Sequence, residues 1–180
     1  MKQLIRILVA ALLLMPVGAG AKSKKPILMV EGVTIEQQLV TAIAARALKK
    51  AGFKHQLVGV PDAEALAALL GGDAHVHLSM PVSDDLRTAV EGAQLRSLGG
   101  LADNDPAVGV LKIVGKGVKK KWPYAQKLLK RMILSPETLS VPVAEVQAGT
   151  PVTEAAATWF KANPKIWKPW IAASKNWMKP

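Results

Sequence analysis

The chain has 180 residues, with 24 lysines and arginines against 13 acidic residues, and a formal net charge of +11. It contains no cysteine, which excludes disulfide bonds, thiol catalysis and a lipid-modified cysteine. The length allows one substantial hydrophobic core and is short for two.

The first residues are typical of a secretory signal peptide. They carry two positive charges, the apolar segment Leu4–Val17 follows, and small residues end at Ala21. We therefore predict a signal peptide over residues 1–21, cleaved after Ala21, and a protein located in a bacterial periplasm. The apolar segment is shorter than the roughly 20 residues that span a bilayer, and a retained membrane anchor is the alternative.

Loss of the two cations in the signal peptide lowers the net charge from +11 to +9. Such a charge suits an anionic membrane or an acidic partner surface, or it reflects a generally cationic solvated surface. We expect no nucleic-acid partner outside the cytoplasm.

The mature chain, residues 22–180, is expected to form a single domain that opens with a strand and a helix. Apolar residues 27–30 predict the strand, and residues 31–33 a loop. Thr34 can cap the helix, with Gln37 three residues further on to complete a capping box. Apolar residues at helical spacing mark a buried face, and Gly52 can close the helix.

Strands and helices continue to alternate up to residue 114. The sequence predicts helices that begin at Asp62 and Ser83, and further strands at 56–60, 74–79, 94–98 and 108–114. Because strand–helix–strand units pair their strands in parallel with right-handed crossovers, we predict an α/β fold with a mainly parallel sheet flanked by helices.

The last third of the chain is predicted to be helical. Pro123 suits the first turn of a helix with an apolar stripe. Three further helices are predicted where a capping residue precedes a proline, at Ser135–Pro136, Thr150–Pro151 and Asn163–Pro164.

Two stretches of the chain resemble one family of transport proteins. In the first stretch the matching residues are Thr34, Glu36, Gln37, Gly52, Phe53, Gly72 and Asp73. In the second they are Trp122, Pro123, Ala125, Leu128, Leu129, Ser135, Leu139, Glu154, Ala155, Ala156, Trp159, Asn163, Pro164 and Trp170. Their order and spacing resemble the periplasmic substrate-binding proteins of ABC importers for glycine betaine, choline and related quaternary amines. The resemblance implies a type II periplasmic-binding-protein fold, a transport role without catalysis or cofactor, and an ABC permease as partner.

The sequence departs from this family in two respects that bear on function. Family members have two lobes that close on the ligand, whereas residues 98–108 connect two predicted strands almost directly, so we expect the second lobe to be missing. The family also cages the ammonium group of its ligand between aromatic rings. Here Met80 precedes Pro81 where a cage tryptophan usually stands, and Phe53 is the only aromatic residue besides histidine from Lys22 to Lys121.

The predicted ligand site lies beyond the carboxyl ends of the first and third strands, where open α/β sheets bind ligands. The residues that we predict to bind ligand are Glu31, Gly32, Val33, Thr34, Glu36, Ser79, Met80 and Pro81. Helix amides near Thr34 can hold an anionic or carbonyl group. The alternative is that Thr34 only caps its helix and Glu36 only complements the helix dipole.

Two histidines alternate along the third predicted strand, and we expect His75 and His77 to share a face. They could hold a soft metal ion with help from Met80, but no carboxylate or thiolate completes a set, and we predict no metal site. The sequence shows no nucleophile motif and no phosphate-binding glycine loop, so we predict no catalytic residue and no enzyme.

Tryptophans and lysines alternate near the C-terminus. Trp159 and Trp170 are expected to pack the terminal helices onto the sheet, and Trp177 is left open as a surface anchor.

The leading hypothesis is a periplasmic solute-binding protein of an ABC importer that is related to quaternary-amine binders and has lost one lobe. Its ligand would lie on an open face, unless a second copy of the chain covers it as a homodimer. The alternative is a non-transport interaction protein, which uses its one lobe and its basic, Trp-rich C-terminus to bind a periplasmic protein or the membrane surface. Ligand identity, oligomeric state and the partner permease stay open.

Overall fold

The structure is a computed structural model that describes residues 25–102 and 109–175. Strands and helices alternate in the first part of this chain, and helices follow in the second. The elements are β1 (Ile27–Val30), α1 (Ile35–Lys50), β2 (His55–Val58), α2 (Asp62–Gly71), β3 (Val76–Pro81), α3 (Asp84–Glu91), β4 (Leu95–Gly100), β5 (Val110–Gly115), α4 (Val118–Lys121), α5 (Pro123–Arg131), α6 (Pro136–Gln147), α7 (Val152–Ala162) and α8 (Pro164–Lys175).

The five strands form one sheet in the order β2-β1-β3-β5-β4. β1 pairs in parallel with β2 and β3, whereas β5 lies antiparallel between β3 and β4. Four strands therefore share one direction, but two of the four neighbouring pairs are antiparallel, so the sheet is mixed. The predicted α/β fold, with a sheet flanked by helices, is confirmed. The reversal at β5 has a simple cause, because residues 101–109 are too few for the crossover of a dozen or more residues that a parallel pair requires.

Helices cover both faces of this sheet. On one face, α1 and the C-terminal helices α5–α8 build the larger core, in which Ile43, Leu128 and Leu129 are fully buried. On the other face, α2 and α3 cover a smaller core around Ile113 and Leu86. The described residues thus form one lobe around a single sheet.

The beginning of α1 has the predicted capping box. The Thr34 hydroxyl oxygen accepts a hydrogen bond from the Gln37 amide at 3.2 Å, and Gln37 Oε1 accepts one from the Thr34 amide at 2.9 Å. This reciprocal pair satisfies two helix-end donors and fixes the turn between β1 and α1.

The C-terminal helices begin close to the predicted capping pairs. Trp159 and Trp170 are both 4% exposed, and their rings stack with centroids 6.3 Å apart. Trp159 Nε1 also donates to the Thr138 carbonyl at 2.8 Å, which ties α7 to α6. The predicted packing role of these two tryptophans is confirmed, whereas Trp177 lies outside the described residues.

The predicted signal peptide, residues 1–21, also lies outside the described residues. Among residues 25–102 and 109–175, no helix has both the length and the apolar character to cross a membrane. The extent of the domain, residues 22–180, stays a prediction.

Candidate functional site

A pocket of about 480 Å³ opens beyond the carboxyl ends of β1 and β3, the place predicted for ligand binding. We call it the strand-end pocket. The first turns of α1 and α6 form two of its walls, and the segments that flank β4 and β5 form the others. Its lining residues are Thr34, Glu36, Gln37, Val40, Ser79, Leu101, Ala102, Val110, Leu134, Pro136, Leu139, Ser140 and Val143.

Gln37 holds the polar side of the pocket together. Its Oε1 accepts hydrogen bonds from the amides of Val33 at 2.8 Å and Thr34 at 2.9 Å, and its Nε2 lies 3.5 Å from the Ser79 carbonyl, to which it donates. The side chain is only 8% exposed. One buried amide group therefore links the loop after β1 to β3.

Gly32 allows this loop to pass close to Gln37. Its φ is +83°, in the left-handed region that favours glycine. A Cβ at this position would lie 2.4 Å from Gln37 Cβ, nearer than two non-bonded carbon atoms can approach. Glycine is thus required here by both the backbone angle and the space.

Ser79 has a buried hydroxyl beside the pocket. The residue is 6% exposed, and its Oγ has no hydrogen-bond partner among the described residues. Its backbone amide donates to His77 Nδ1 at 3.2 Å, so the main chain of Ser79 is held while its side chain keeps its hydrogen-bonding capacity. A buried polar atom without a partner carries a free-energy cost that a bound polar ligand can relieve.

The structure brings together some of the eight predicted ligand residues. Thr34, Glu36 and Ser79 line the pocket, and Glu31, Gly32 and Val33 form the loop beside it. Met80 instead belongs to the smaller core on the other face of the sheet, which also contains Leu86, and Pro81 is exposed at the end of β3. The register shift between His77 and Met80 accounts for this division, because an irregularity in a strand changes which side chains point to which face.

The apolar walls of the pocket were not predicted as site residues. They come from Leu134 and Leu139 at the α5–α6 junction, from Val143 on α6, and from Leu101 and Val110 beside the β4–β5 connection. The Leu134 amide donates to the Leu101 carbonyl at 2.9 Å and joins two of these segments. Because these residues meet only through tertiary packing, the sequence pattern gives no signal for them beyond their hydrophobicity.

Lys112 stabilises the pocket wall at the α5–α6 junction. The residue is fully buried on β5, and its Nζ donates to the carbonyls of Met132 at 2.7 Å and Lys130 at 3.2 Å. These carbonyls end α5, so the lysine joins that helix to the sheet directly before the pocket residue Leu134. Burial, and secondarily the charge of Lys130, lowers the Lys112 pKa to about 8.

The two strand histidines have separate surroundings. His75 Nδ1 accepts from the Leu28 amide at 2.9 Å, and its ring packs 4.7 Å from that of Trp122. His77 is 1% exposed, and burial lowers its pKa although Asp62 acts in the opposite direction. No group of three or more metal-ligating side chains occurs within the two described ranges.

The pocket is mainly aliphatic. Among the described residues that line it, none is aromatic and none is a lysine or arginine; Glu36 carries the one formal charge. The pocket therefore offers a carboxylate, several hydroxyl and amide groups and aliphatic walls, which together fit a small molecule with one apolar part and one polar or cationic part.

Comparison with solved structures identifies the fold. Lactococcal OpuAC, in its closed form with glycine betaine, superposes with a TM-score of 0.70 at 15% identity over 82% of this chain and 99% of that chain. An ABC-transporter choline-binding protein with choline gives 0.71 at 12% identity over 84% of this chain and 97% of that chain. The chain has the substrate-binding-protein fold.

A third solved structure agrees with the first two. ProX from Borrelia burgdorferi, a glycine betaine/L-proline-binding protein of an ABC transporter, gives a TM-score of 0.69 at 8% identity over 83% of this chain and 100% of that chain. No protein-family model and no curated protein matches the sequence. The resemblance found in the sequence is therefore confirmed as a shared fold.

Proposed function

We propose that this protein is a periplasmic solute-binding protein of an ABC importer and that its solute binds in the strand-end pocket. The observation that carries the proposal is the position of this pocket, which lies beyond the strand ends of a fold shared with glycine betaine and choline binders. These neighbours are binding proteins, and we propose binding without catalysis here too.

A quaternary amine is the ligand class that we propose from the fold neighbours. In this pocket the Glu36 carboxylate is the group that would face the ammonium, and the aliphatic walls would take its methyl groups. Ring faces, which attract cations that cannot donate hydrogen bonds, are absent from the described lining residues. We therefore expect weaker binding than an aromatic cage gives.

The open face of the lobe also limits affinity. Binding sites for small molecules usually bury most of the surface of their ligand, and a single lobe covers the ligand from one side. A second copy of the chain, or the permease, would supply the opposite wall. Without one, we expect dissociation constants in the millimolar range, on the order of 4 kcal/mol of binding free energy.

Calorimetric titration with glycine betaine, choline and carnitine tests this proposal. Glu36→Gln removes the pocket carboxylate, and we expect it to weaken binding of choline, which is a cation without a carboxylate, by about fivefold or more. Glu64→Gln removes an exposed acid from the first turn of α2, outside the pocket, and should leave the affinity unchanged. If none of the three solutes binds or raises the melting temperature and the chain sediments as a monomer, the proposal is wrong.

The rim of the pocket favours one alternative, a non-transport interaction protein. Val33 and Val141, two of the large apolar side chains most exposed to solvent, are 57% and 67% exposed and belong to segments that border the pocket. Exposed apolar groups around a recess are typical of a surface that binds another protein.

A pull-down from periplasmic extract separates the two functions. A partner that is lost with Val33→Ser and Val141→Ser, or with removal of residues 175–180, would support the interaction protein. A protein that binds solute and retains no partner would support transport.

A further inference from the structure

Lysines gather at the end of the molecule that lies opposite the strand-end pocket. α1 ends in Lys49 and Lys50, Lys54 precedes β2, and β5 leads into Lys116 and residues 119–121 of α4. All seven side chains are exposed. Because β5 runs against β1 and β2, its carboxyl end lies at the same edge of the sheet as their amino ends, and we call this edge the lysine end.

Contacts in the structure join these segments into one surface. The Ile27 amide donates to the Lys54 carbonyl at 2.9 Å, and the neighbouring Leu28 amide donates to His75 Nδ1. The His75 carbonyl in turn accepts from the Gly115 amide at 2.9 Å, one residue before Lys116. A recess of about 440 Å³ lined by His75, Lys116 and Lys121 lies within this surface.

Acidic side chains are concentrated at the other end. The first turns of α1, α2, α3 and α6, which begin at the pocket edge of the sheet, carry Glu36, Asp62, Glu64, Asp84, Asp85 and Glu137. Arg87 pairs with Asp84 at 3.6 Å, and the cations at the end of α5 are Lys130 and Arg131. At the lysine end the acids include Asp73 and Glu91, and Glu154 lies at the start of α7, which contacts Arg46 near the end of α1. Acids are therefore fewer at this end than at the pocket edge, and the charges are partly separated.

Helix dipoles explain part of this separation of charge, but they do not explain the lysines at 116 and 119–121. Acids at helix beginnings and Lys49 and Lys50 at the end of α1 complement the dipole of each helix. The lysines at 116 and 119–121 exceed what a helix of four residues requires, and within the described residues none of these four forms an ion pair. Like charges placed so close together destabilise the isolated molecule, and an anionic surface would offset that repulsion.

We propose that the lysine end docks electrostatically on an anionic membrane surface, with the strand-end pocket turned towards the aqueous phase. Lysines dominate the cluster, with Arg96 of β4 beside Lys116. A flexible, strongly hydrated ammonium suits a diffuse layer of headgroups better than fork-like recognition of one partner. Clusters of four to eight basic residues are typical of surfaces that bind anionic lipids.

Vesicle co-sedimentation tests this docking. The protein is purified in the form that the cell produces, and all variants have the same N-terminus. We expect binding to vesicles that contain phosphatidylglycerol, little binding to phosphatidylcholine alone, and a loss of binding at high salt. Replacing Lys49, Lys50, Lys119 and Lys120 by Gln should weaken partitioning by about 600-fold, since each lysine near such a surface contributes roughly a factor of five.

The matched control removes four positive charges elsewhere, by Gln at Lys130, Lys161, Lys165 and Lys168. It should retain most of the lipid binding, and both variants should unfold cooperatively, as the wild type does. Equal weakening in the two variants would overturn the proposal, because net charge alone would then explain binding. Tighter binding to soluble polyglutamate than to vesicles would also overturn it and would indicate an acidic protein partner.

Orientation can be measured separately because the chain has no cysteine of its own. Asp73→Cys and Glu137→Cys each replace one exposed acid, the first at the lysine end and the second at the pocket edge. A fluorophore on Cys at position 73 should be quenched by nitroxide lipids in the vesicles, and one at position 137 should not. Quenching at both positions, or only at 137, would contradict the proposed orientation, whether or not the pocket binds solute.

Discussion

Single residues determine how the loop after β1 meets the pocket. Gly32 has a positive φ and no room for a Cβ, because Gln37 occupies that space with its own side chain. Gln37 in turn bonds to the amides of Val33 and Thr34. The shape of the predicted ligand loop therefore depends on a glycine and a buried amide.

Gly32→Ala is predicted to destabilise the protein for two reasons: the positive φ at this position and the contact of a new Cβ with Gln37. Gly72 provides a matched control, because its φ is +87° and a Cβ there would meet no atom within 4 Å. We expect Gly72→Ala to lower the free energy of unfolding by about 1 kcal/mol, the cost of the left-handed backbone alone. Gly32→Ala should cost roughly 1–3 kcal/mol more, since a contact at Gln37 must also be relieved.

Urea denaturation of the two variants measures this difference. Equal losses of unfolding free energy would show that Gln37 moves away without cost and that the loop is not held as the structure indicates. Glycine could be assigned to a loop from the sequence, but its clash with Gln37 could not, because it depends on atomic positions in the folded loop.

At the level of elements, Lys112 connects β5 to the end of α5. A lysine within an apolar strand gives no hint in the sequence that it will be buried, and only the structure shows the carbonyls of Lys130 and Met132 that its Nζ reaches. Burial lowers the pKa of this amine to about 8, from an ordinary value near 10.5.

This lowered pKa predicts a rise in stability at alkaline pH. Between about pH 8 and pH 10.5 the unfolded chain keeps the Lys112 proton and the folded chain has lost it, so the free energy of unfolding contributed by this group increases with pH. Below pH 8 both states hold the proton and the contribution is flat. Across the window the gain is at most about 3 kcal/mol.

Lys112→Met removes the titrating group. The difference in unfolding free energy between wild type and this variant should therefore grow from pH 8 to pH 10.5, measured by denaturant titration at each pH. Lys116→Met, which removes an exposed lysine just beyond β5, serves as the control and should keep the wild-type pH slope. A constant difference for Lys112→Met would contradict the burial of a titrating amine.

Most elements were predictable because each has a local signal. The capping box at Thr34 and the proline pairs before α6, α7 and α8 act within a few residues, and the structure confirms the helices at those places. The direction of β5 and the bulge that turns Met80 away from the pocket depend on chain connections and on neighbouring strands. A local pattern does not contain that information.

At the scale of the whole molecule, one sheet separates two chemically different ends. The strand-end pocket and most helix-initial acids lie at one edge, and the lysine end lies at the other. The net charge of +11 could be counted from the sequence, but the grouping of seven exposed lysines at one edge follows from the topology. The same topology unites the pocket walls from residues as distant as Val40 and Val143.

The location of the solute site is the central claim, and NMR titration of the isotope-labelled protein tests it most directly. On addition of glycine betaine or choline, we predict saturable shifts of the amide signals of Gln37, Ser79 and Ser140, with the signals of Lys116 and Lys120 at the opposite end unchanged. Shifts centred at the lysine end, or no saturable shift at the pocket with either solute, would contradict it.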